Sequence, residues 1–67
     1  MKRNVIYDTR LYSKESIITA VKSFSSDFKI SILATLGNKC VVHFASDSDL
    51  DAVIGEFNNY LIYLENK

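Results

Sequence analysis

The hydrophobic residues of the last quarter of the chain, over residues 49–64, recur at alternating intervals of four and three positions. They are Leu50, Ile54, Phe57, Leu61 and Leu64. This spacing places large side chains on one stripe of an α-helix about 25 Å long, roughly the width of a domain of this size. Gly55 lies within this helix and lowers its stability by up to about 1 kcal/mol relative to alanine. Close approach of another backbone would explain why a glycine occupies this position. We expect the other elements to pack against this helix.

A shorter helix is predicted after Ser13, whose hydroxyl can accept a hydrogen bond from a free amide in the first helical turn. Glu15 lies in that turn, where the helix dipole favours a negative charge. Apolar residues then follow at helical spacing, namely Ile17, Ala20, Val21 and Phe24. We expect the helix to end at residues 25–27, because serine and aspartate side chains compete for the backbone hydrogen bonds.

Three stretches alternate between apolar and other side chains, which is typical of β-strands. They cover residues 3–8, 28–36 and 39–45, and a Gly37-Asn38 turn between the last two predicts an antiparallel hairpin. The predicted order is therefore strand, helix, strand, strand, helix. We expect a single α+β domain over residues 1–67, in which both helices cover one face of a three-stranded sheet. This arrangement is a ferredoxin-like unit without its last strand.

The register of the hairpin has two alternatives, since a shift by one residue turns every side chain to the other face. A two-residue loop of Gly37 and Asn38 pairs Ala34 with Val41, which puts the apolar rows of the two strands on opposite faces. A three-residue loop that begins at residue 36 pairs Ala34 with Cys40 and brings both rows to one face. Its other pairs are Ile32 with Val42 and Ile30 with Phe44. Burial favours this second register, with Asn38 in a left-handed conformation at the end of the loop.

The length of the chain limits the core that it can form. A chain of 67 residues buries only roughly 60% of its unfolded surface, so its free energy of unfolding has a small margin. The single cysteine, Cys40, has no partner for an internal disulfide, and Cys40 with His43 does not supply the four ligands of structural zinc. We expect no cofactor. Additional stabilisation is expected from a homo-oligomer or a protein partner.

The charge balance argues against nucleic acid as a partner. Eight basic and eight acidic residues give a formal net charge of zero, whereas phosphate binding needs a clustered positive field. The only basic cluster is Lys2 and Arg3 with Arg10 nearby, which we interpret as a solvated tail. The sequence contains no run of about 20 apolar residues, so we predict no membrane span. Asp8 interrupts the apolar stretch that a signal peptide would need. Together with the lone thiol, these features predict a cytoplasmic location.

Candidate catalytic and metal-binding residues have simpler structural explanations. Cys40 and His43 are three positions apart in one strand and point to opposite faces, which argues against a nucleophile pair. We expect Cys40 in the core and His43 at a half-exposed or interface position. Asp47, Asp49 and Asp51 resemble a calcium loop, but the required glycine and glutamate are missing. Capping explains them better, with residues 46–48 supplying the cap. We predict that the chain is not an enzyme.

Apolar residues outside the predicted core indicate an interaction surface. On the hairpin, Leu33, Val41 and Ala45 occupy the face turned away from the helices, and on the last helix the apolar surface extends beyond one stripe. A contiguous apolar patch usually contacts another molecule. The residues that we expect to bind a partner are Leu33, Val41, His43, Tyr60, Ile62 and Tyr63.

Two stretches of the chain carry a resemblance to a small bacterial protein family. The first is Tyr7-Asp8-Thr9-Arg10-Leu11-Tyr12-Ser13-Lys14-Glu15-Ser16-Ile17 with Ala20 and Phe24, and the second is Gly55-Glu56-Phe57-Asn58-Asn59-Tyr60-Leu61. They resemble the start and the C-terminal helix of the small D-type component of the His-Xaa-Ser peptide-maturation system. Its members are encoded beside two radical-SAM enzymes and a precursor rich in His-Xaa-Ser repeats. The resemblance covers residues 5–65, with the hairpin similar in outline only, and includes no catalytic signature.

The resemblance implies a non-catalytic accessory protein that binds the precursor peptide or a modifying enzyme. No cysteine triad for an iron–sulfur cluster is present, so this chain would not perform the radical chemistry. We expect the partner to use the sheet edge, by strand addition, or the broad face of the last helix. The alternative is a small homodimeric regulatory or ligand-sensing domain, in which two copies complete a shared sheet. A tight dimer would favour this alternative, and a monomer with an open edge would favour the accessory role.

Overall fold

Two helices and three strands follow one another in the predicted order in a computed structural model that describes all residues, Met1–Lys67. The elements are β1 (Lys2–Asp8), α1 (Lys14–Phe24), β2 (Lys29–Leu36), β3 (Lys39–Ala45) and α2 (Leu50–Glu65). β3 lies between β1 and β2 and is antiparallel to both, so β1 and β2 are the edge strands. The predicted α+β class and the predicted element order are confirmed.

Side chains cap the start of each helix. The Ser13 hydroxyl accepts a hydrogen bond from the Ser16 backbone N–H at 3.2 Å and caps α1, as predicted. The cap of α2 is Asp49, whose carboxylate accepts from the Asp51 backbone N–H at 3.0 Å. The prediction that residues 46–48 supply this cap is therefore wrong, whereas the capping role predicted for the acidic residues is confirmed at Asp49. The Ser46 hydroxyl instead accepts from a backbone N–H inside the loop, while the Asp49 carboxylate also benefits from the helix dipole.

The turn of the hairpin contains two residues, Gly37 and Asn38, and Ala34 pairs with Val41. The predicted three-residue loop and the predicted pairing of Ala34 with Cys40 are therefore wrong. Gly37 has a φ of 57°, and no other residue of the chain has a positive φ. The left-handed conformation predicted for Asn38 thus belongs to Gly37, because glycine has no Cβ to clash there.

A β-bulge at Leu33 restores the other register farther from the turn. On that side of the bulge, Ile32 pairs with Val42 and Ile30 pairs with Phe44, as the favoured alternative predicted. The bulge places one additional residue in β2, so the side chains beyond it change face. The hairpin therefore combines both predicted registers and still directs the apolar residues of its open end toward the helices.

Both helices cover one face of the sheet, and a single core lies between the layers. Its buried residues are Tyr7, Ile17, Ala20, Ile30, Cys40, Val42, Phe44, Leu50, Val53, Ile54, Phe57 and Leu61. The Phe57 ring lies at the centre, with its centroid 5.1 Å from that of Phe44, 5.5 Å from that of Phe24 and 5.8 Å from that of Tyr7. One side chain of α2 thereby joins β1, β3 and α1, which confirms that the elements pack against the last helix.

The expected close approach of another backbone at Gly55 does not occur within the chain. A Cβ atom placed on Gly55 would have no neighbouring atom within 4 Å. The glycine therefore weakens the middle of α2 without an intramolecular packing reason.

The basic residues near the start of the chain belong to the folded domain. Lys2 and Arg3 lie in β1, so their interpretation as a solvated tail is wrong. The Arg3 guanidinium forms an ion pair with Asp51 of α2, and that of Arg10 pairs with Asp8 at 2.8 Å. Backbone pairing with β3 holds this segment, and such pairing does not require apolar side chains.

Candidate functional site

The face of the sheet turned away from both helices, here named the outer face, is crossed by a row of apolar side chains. Ile6 of β1 lies opposite Val41 of β3, and Val41 lies opposite Ala34 of β2 beside the bulge residue Leu33. Ile6 is 62% exposed and Leu33 is 55% exposed, whereas Val41 and Ala34 are half-buried. We name these four residues the outer row. Because an antiparallel sheet with one solvated face normally carries polar residues there, an apolar row is unusual.

A polar row lies next to the outer row. His43 of β3 is directly opposite Asn4 of β1 and Ser31 of β2. The His43 Nδ1 atom lies 2.7 Å from the Asn4 Oδ1 atom. With the amide oxygen as acceptor, Nδ1 donates this hydrogen bond and Nε2 stays available for another molecule. The outer face thus offers an apolar row for burial and an oriented imidazole beside it.

The residues predicted to bind a partner lie on two separate surfaces. Leu33, Val41 and His43 lie together on the outer face of the sheet. The other three predicted residues, Tyr60, Ile62 and Tyr63, belong to α2 on the opposite side of the molecule. The structure therefore brings together one half of the predicted site and separates it from the other half by the core.

The aromatic residues of the α2 surface already have partners within the chain. Tyr60 is half-buried, its ring lies 5.9 Å from that of Phe24, and its hydroxyl is 3.4 Å from that of Ser23. Tyr63 stacks on Tyr60 at 6.0 Å. Only Ile62 and Tyr63 are widely exposed here. This surface is consequently less open than the outer row.

Ile6 belongs to the outer face but was missing from the predicted site. The alternation of β1 placed Ile6 opposite in direction to Val5 and Tyr7, which was a usable signal. The alternation of side chains does not reveal the strand order. That order places β1 beside β3 and therefore Ile6 beside Val41. Leu36 at the end of β2 is also exposed, and the predicted site lacks it because the favoured register placed it in the loop.

The side chains with chemical reactivity do not form a catalytic group. Cys40 is in the core, 1% exposed, and burial raises the pKa of its thiol. His43 points to the outer face, so the predicted separation of the two side chains is confirmed. No group of three or more His, Cys, Asp and Glu side chains in the chain is arranged to hold a metal ion.

One open groove of about 410 Å³ lies at the end of the sheet where β1 begins and β3 ends. Lys2 and Lys29 lie on either side of Ala45 in its lining, and Asp27 and Asp47 contribute the opposite charge. Because the two signs are mixed, the groove has no concentrated field for a charged ligand. The outer face is therefore the stronger candidate site.

Neither helix is long and apolar enough to cross a membrane. In comparisons with known proteins, no protein-family model, no curated protein and no solved structure matches this chain.

Proposed function

We propose that this chain is a non-catalytic binding protein that holds a protein or peptide partner on its outer face. The observation that supports the proposal is the outer row, in which the exposed Ile6 and Leu33 flank Val41 on a face without a covering element. A contiguous apolar patch of this kind usually marks an interaction site.

The proposed partner is the precursor peptide or a modifying enzyme of a radical-SAM peptide-modification system. The resemblance of residues 7–17 and 55–61 to the D-type component of the His-Xaa-Ser system supports this class of partner. Most residues of those stretches hold the fold: Tyr7 donates a hydrogen bond to Asn58, and Ser13 caps α1. The resemblance therefore supports the class of partner, whereas the outer row supports the place where the partner binds.

Apolar burial and one directed polar contact would act together in binding. Covering the exposed parts of Ile6 and Leu33 would contribute on the order of 1 kcal/mol each. The free Nε2 of His43 can accept a hydrogen bond from the partner and so fix its position along the face. A surface of this size predicts moderate affinity, as suits a protein that presents a substrate to another molecule.

Affinity capture from the native host tests the proposal. The wild-type chain should enrich a radical-SAM enzyme or a His-Xaa-Ser repeat precursor, and Leu33→Glu should abolish the enrichment by placing a charge in the outer row. Ile62→Glu is the matched comparison, because it adds the same charge to the α2 half of the predicted site. It should keep the partner, because the proposal places the partner on the outer face alone. Absence of both partners with the wild-type chain, or equal capture by Leu33→Glu, contradicts the proposal.

A homodimeric regulatory or ligand-sensing domain is the second candidate, and the open edge of β1 favours it. The outer face and the β1 edge are separate surfaces, so dimer formation alone does not decide between the two functions. A small molecule bound between two copies would distinguish the two functions, because only the second candidate requires it. Native mass spectrometry of the protein purified from its host should detect the additional mass if this candidate is correct, and a dimer without additional mass contradicts it.

A further inference from the structure

We propose that two copies of this chain associate through β1, antiparallel to each other, with Val5 of each copy at the two-fold axis. The two three-stranded sheets then form one continuous sheet. This inference concerns the β1 edge and not the outer face. It does not depend on the proposed partner binding, and it specifies the shared sheet of the homodimeric second candidate. In a complete ferredoxin-like unit a fourth strand lies beside β1, and here the second copy's β1 takes that place.

The open side of β1 presents backbone groups without a partner in the chain. In an antiparallel ladder, the residues that bond to the neighbouring strand alternate with residues that do not. The Ser46 N–H donates to the Met1 carbonyl at 3.0 Å, and the Thr9 N–H donates to the Asn38 carbonyl at 2.7 Å. Odd-numbered residues of this segment therefore bond to β3. The even-numbered residues, which direct their backbone groups to the open side, are Lys2, Asn4, Ile6 and Asp8.

Charge selects the register in which two such edges meet. With Val5 at the axis, Asn4 of each copy pairs with Ile6 of the other. Lys2 pairs with the oppositely charged Asp8, whose carboxylate also accepts from Arg10 of its own copy. Opposite charges that face each other across two strands stabilise the pair. A shift by two residues preserves the backbone pattern, but it sets Lys2 against either Arg10 or an apolar side chain. Only the register with Val5 at the axis joins complementary charges.

The hydrogen bonds of this register fit the groups that are free. Asn4 and Ile6 of the two copies exchange N–H and C=O groups that no other residue uses. The Asp8 N–H can donate to the Lys2 carbonyl of the other copy. The Asp8 carbonyl already accepts from the backbone N–H groups of Leu11 and Tyr12, at 3.0 and 3.1 Å, so the ladder ends there.

α2 carries its glycine at the position that the two-fold axis requires. Two contacts show that α2 runs alongside β1 in the same direction: Arg3 pairs with Asp51, and Tyr7 donates to Asn58 at 2.6 Å. Gly55 lies midway between these contacts and therefore beside the proposed axis. In the dimer, Gly55 of one α2 would face Gly55 of the other.

The spacing of the two α2 helices agrees with this arrangement. Phe57 contacts both Tyr7 of β1 and Phe44 of β3, so the axis of α2 lies between those strands. With strands about 4.8 Å apart, the two α2 axes would be separated by about 10 Å. Packed helices lie about 8–10 Å apart, with small residues at the closest contacts. The open space at Gly55, which has no explanation within one chain, is where the second helix would pass.

Sedimentation velocity over a range of concentrations, with a matched pair of variants at Ile6, tests the edge pairing. Ile6→Pro removes an N–H that points to the open side and leaves the bonds to β3 in place. We expect the dimer dissociation constant to rise about tenfold or more, because the bond is lost twice in a symmetric dimer. Ile6→Ala keeps the N–H and should change the constant by about threefold or less. A wild-type chain that remains monomeric up to about 1 mM overturns the proposal.

A charge reversal tests the register. Lys2→Asp sets two carboxylates against each other and should weaken the dimer more than Lys2→Ala, which only removes the attraction. If both variants dimerise like the wild type, the register is wrong. Lys2→Asp leaves the outer row unchanged and should still capture the partner, so failure of the dimer and failure of the proposed function are distinguishable.

A bulky side chain at the axis tests the contact between the helices. Gly55→Gln raises the helix propensity of α2, so the monomer should unfold at a higher temperature while the dimer weakens. Thr19→Gln on the exposed side of α1 is the matched control and should leave the dimer unchanged. Equal dimerisation of Gly55→Gln and the wild type would show that α2 is not at the axis.

Discussion

Tyr7 places a hydroxyl at the margin of the core and satisfies it with one hydrogen bond. The hydroxyl donates to the Asn58 side-chain oxygen at 2.6 Å, and burial raises the pKa of the phenol. Sequence alternation predicted the direction of the Tyr7 side chain, since that depends on its immediate neighbours. The bond to Asn58 was beyond such reasoning, because it joins residues from opposite ends of the fold.

Tyr7→Phe should lower the free energy of unfolding by about 1 kcal/mol, because the half-buried Asn58 oxygen loses its donor while the ring stays in place. Urea unfolding followed by circular dichroism measures the change. Tyr12→Phe is the matched control, since the Tyr12 ring also packs on the core but its hydroxyl has no hydrogen-bond partner within the chain. Equal losses in the two variants would show that the hydrogen bond contributes nothing.

The ionisation of Asp8 makes the free energy of unfolding depend on pH in the acid range. Hydrogen bonds from the Arg10 side chain and backbone lower the pKa of Asp8 to about 2. An unfolded aspartate titrates near pH 4, so the stabilisation is complete above about pH 4 and is lost as the pH falls toward about 2. The difference in unfolding free energy between the wild type and Asp8→Asn should shrink over that interval. Arg10→Ala should show the same dependence, and a difference that is constant with pH contradicts the assignment.

At the scale of elements, local patterns predicted what local chemistry decides. Helical spacing and the Ser13 cap predicted α1, and the long apolar stripe predicted α2. The hairpin register was predicted only in part, because one additional residue at Leu33 breaks the two-residue period. A two-residue alternation does not predict such a bulge. The bulge depends on tertiary packing, in which the helices cover Ile30 and Ile32 on one face of the sheet.

Replacing each of the two glycines, Gly37 and Gly55, by alanine should change the free energy of unfolding in opposite directions. Gly55→Ala should raise the free energy of unfolding of the monomer by up to about 1 kcal/mol, because the helix gains propensity and the Cβ has open space. Gly37→Ala should lower it by about 1–2 kcal/mol, because Gly37 has a φ of 57°. Thermal unfolding at low protein concentration measures both, and shifts of the same sign would contradict this account of the helix and the turn.

At the scale of the whole molecule, the two faces of the sheet differ in what covers them. The helices bury one face around Phe57, and the outer row stays exposed on the other. Alternation predicted which residues of β3 face each side, including Val41 and His43. It did not predict that Ile6 completes the row, because strand order follows from contacts between distant parts of the chain.

Substitutions on the two faces should separate stability from binding. Phe57→Ala removes the ring that joins β1, β3 and α1 and should cost about 3–5 kcal/mol, which is close to the whole stability of a small domain. Leu33→Ala on the outer face should change the free energy of unfolding by about 0.5 kcal/mol or less. Chemical unfolding checks both. If Leu33→Ala destabilises the chain as strongly as Phe57→Ala, the outer row belongs to the core and is not a free surface.

Calorimetric titration of the purified chain tests the proposed binding function of the outer face most directly. The titrants are a purified His-Xaa-Ser repeat precursor peptide and a purified radical-SAM enzyme from the native host. We predict saturable binding to at least one of them, weakened about tenfold or more by Leu33→Glu and unchanged by Ile62→Glu. Binding to neither molecule, or binding that Ile62→Glu abolishes and Leu33→Glu leaves intact, would contradict the account.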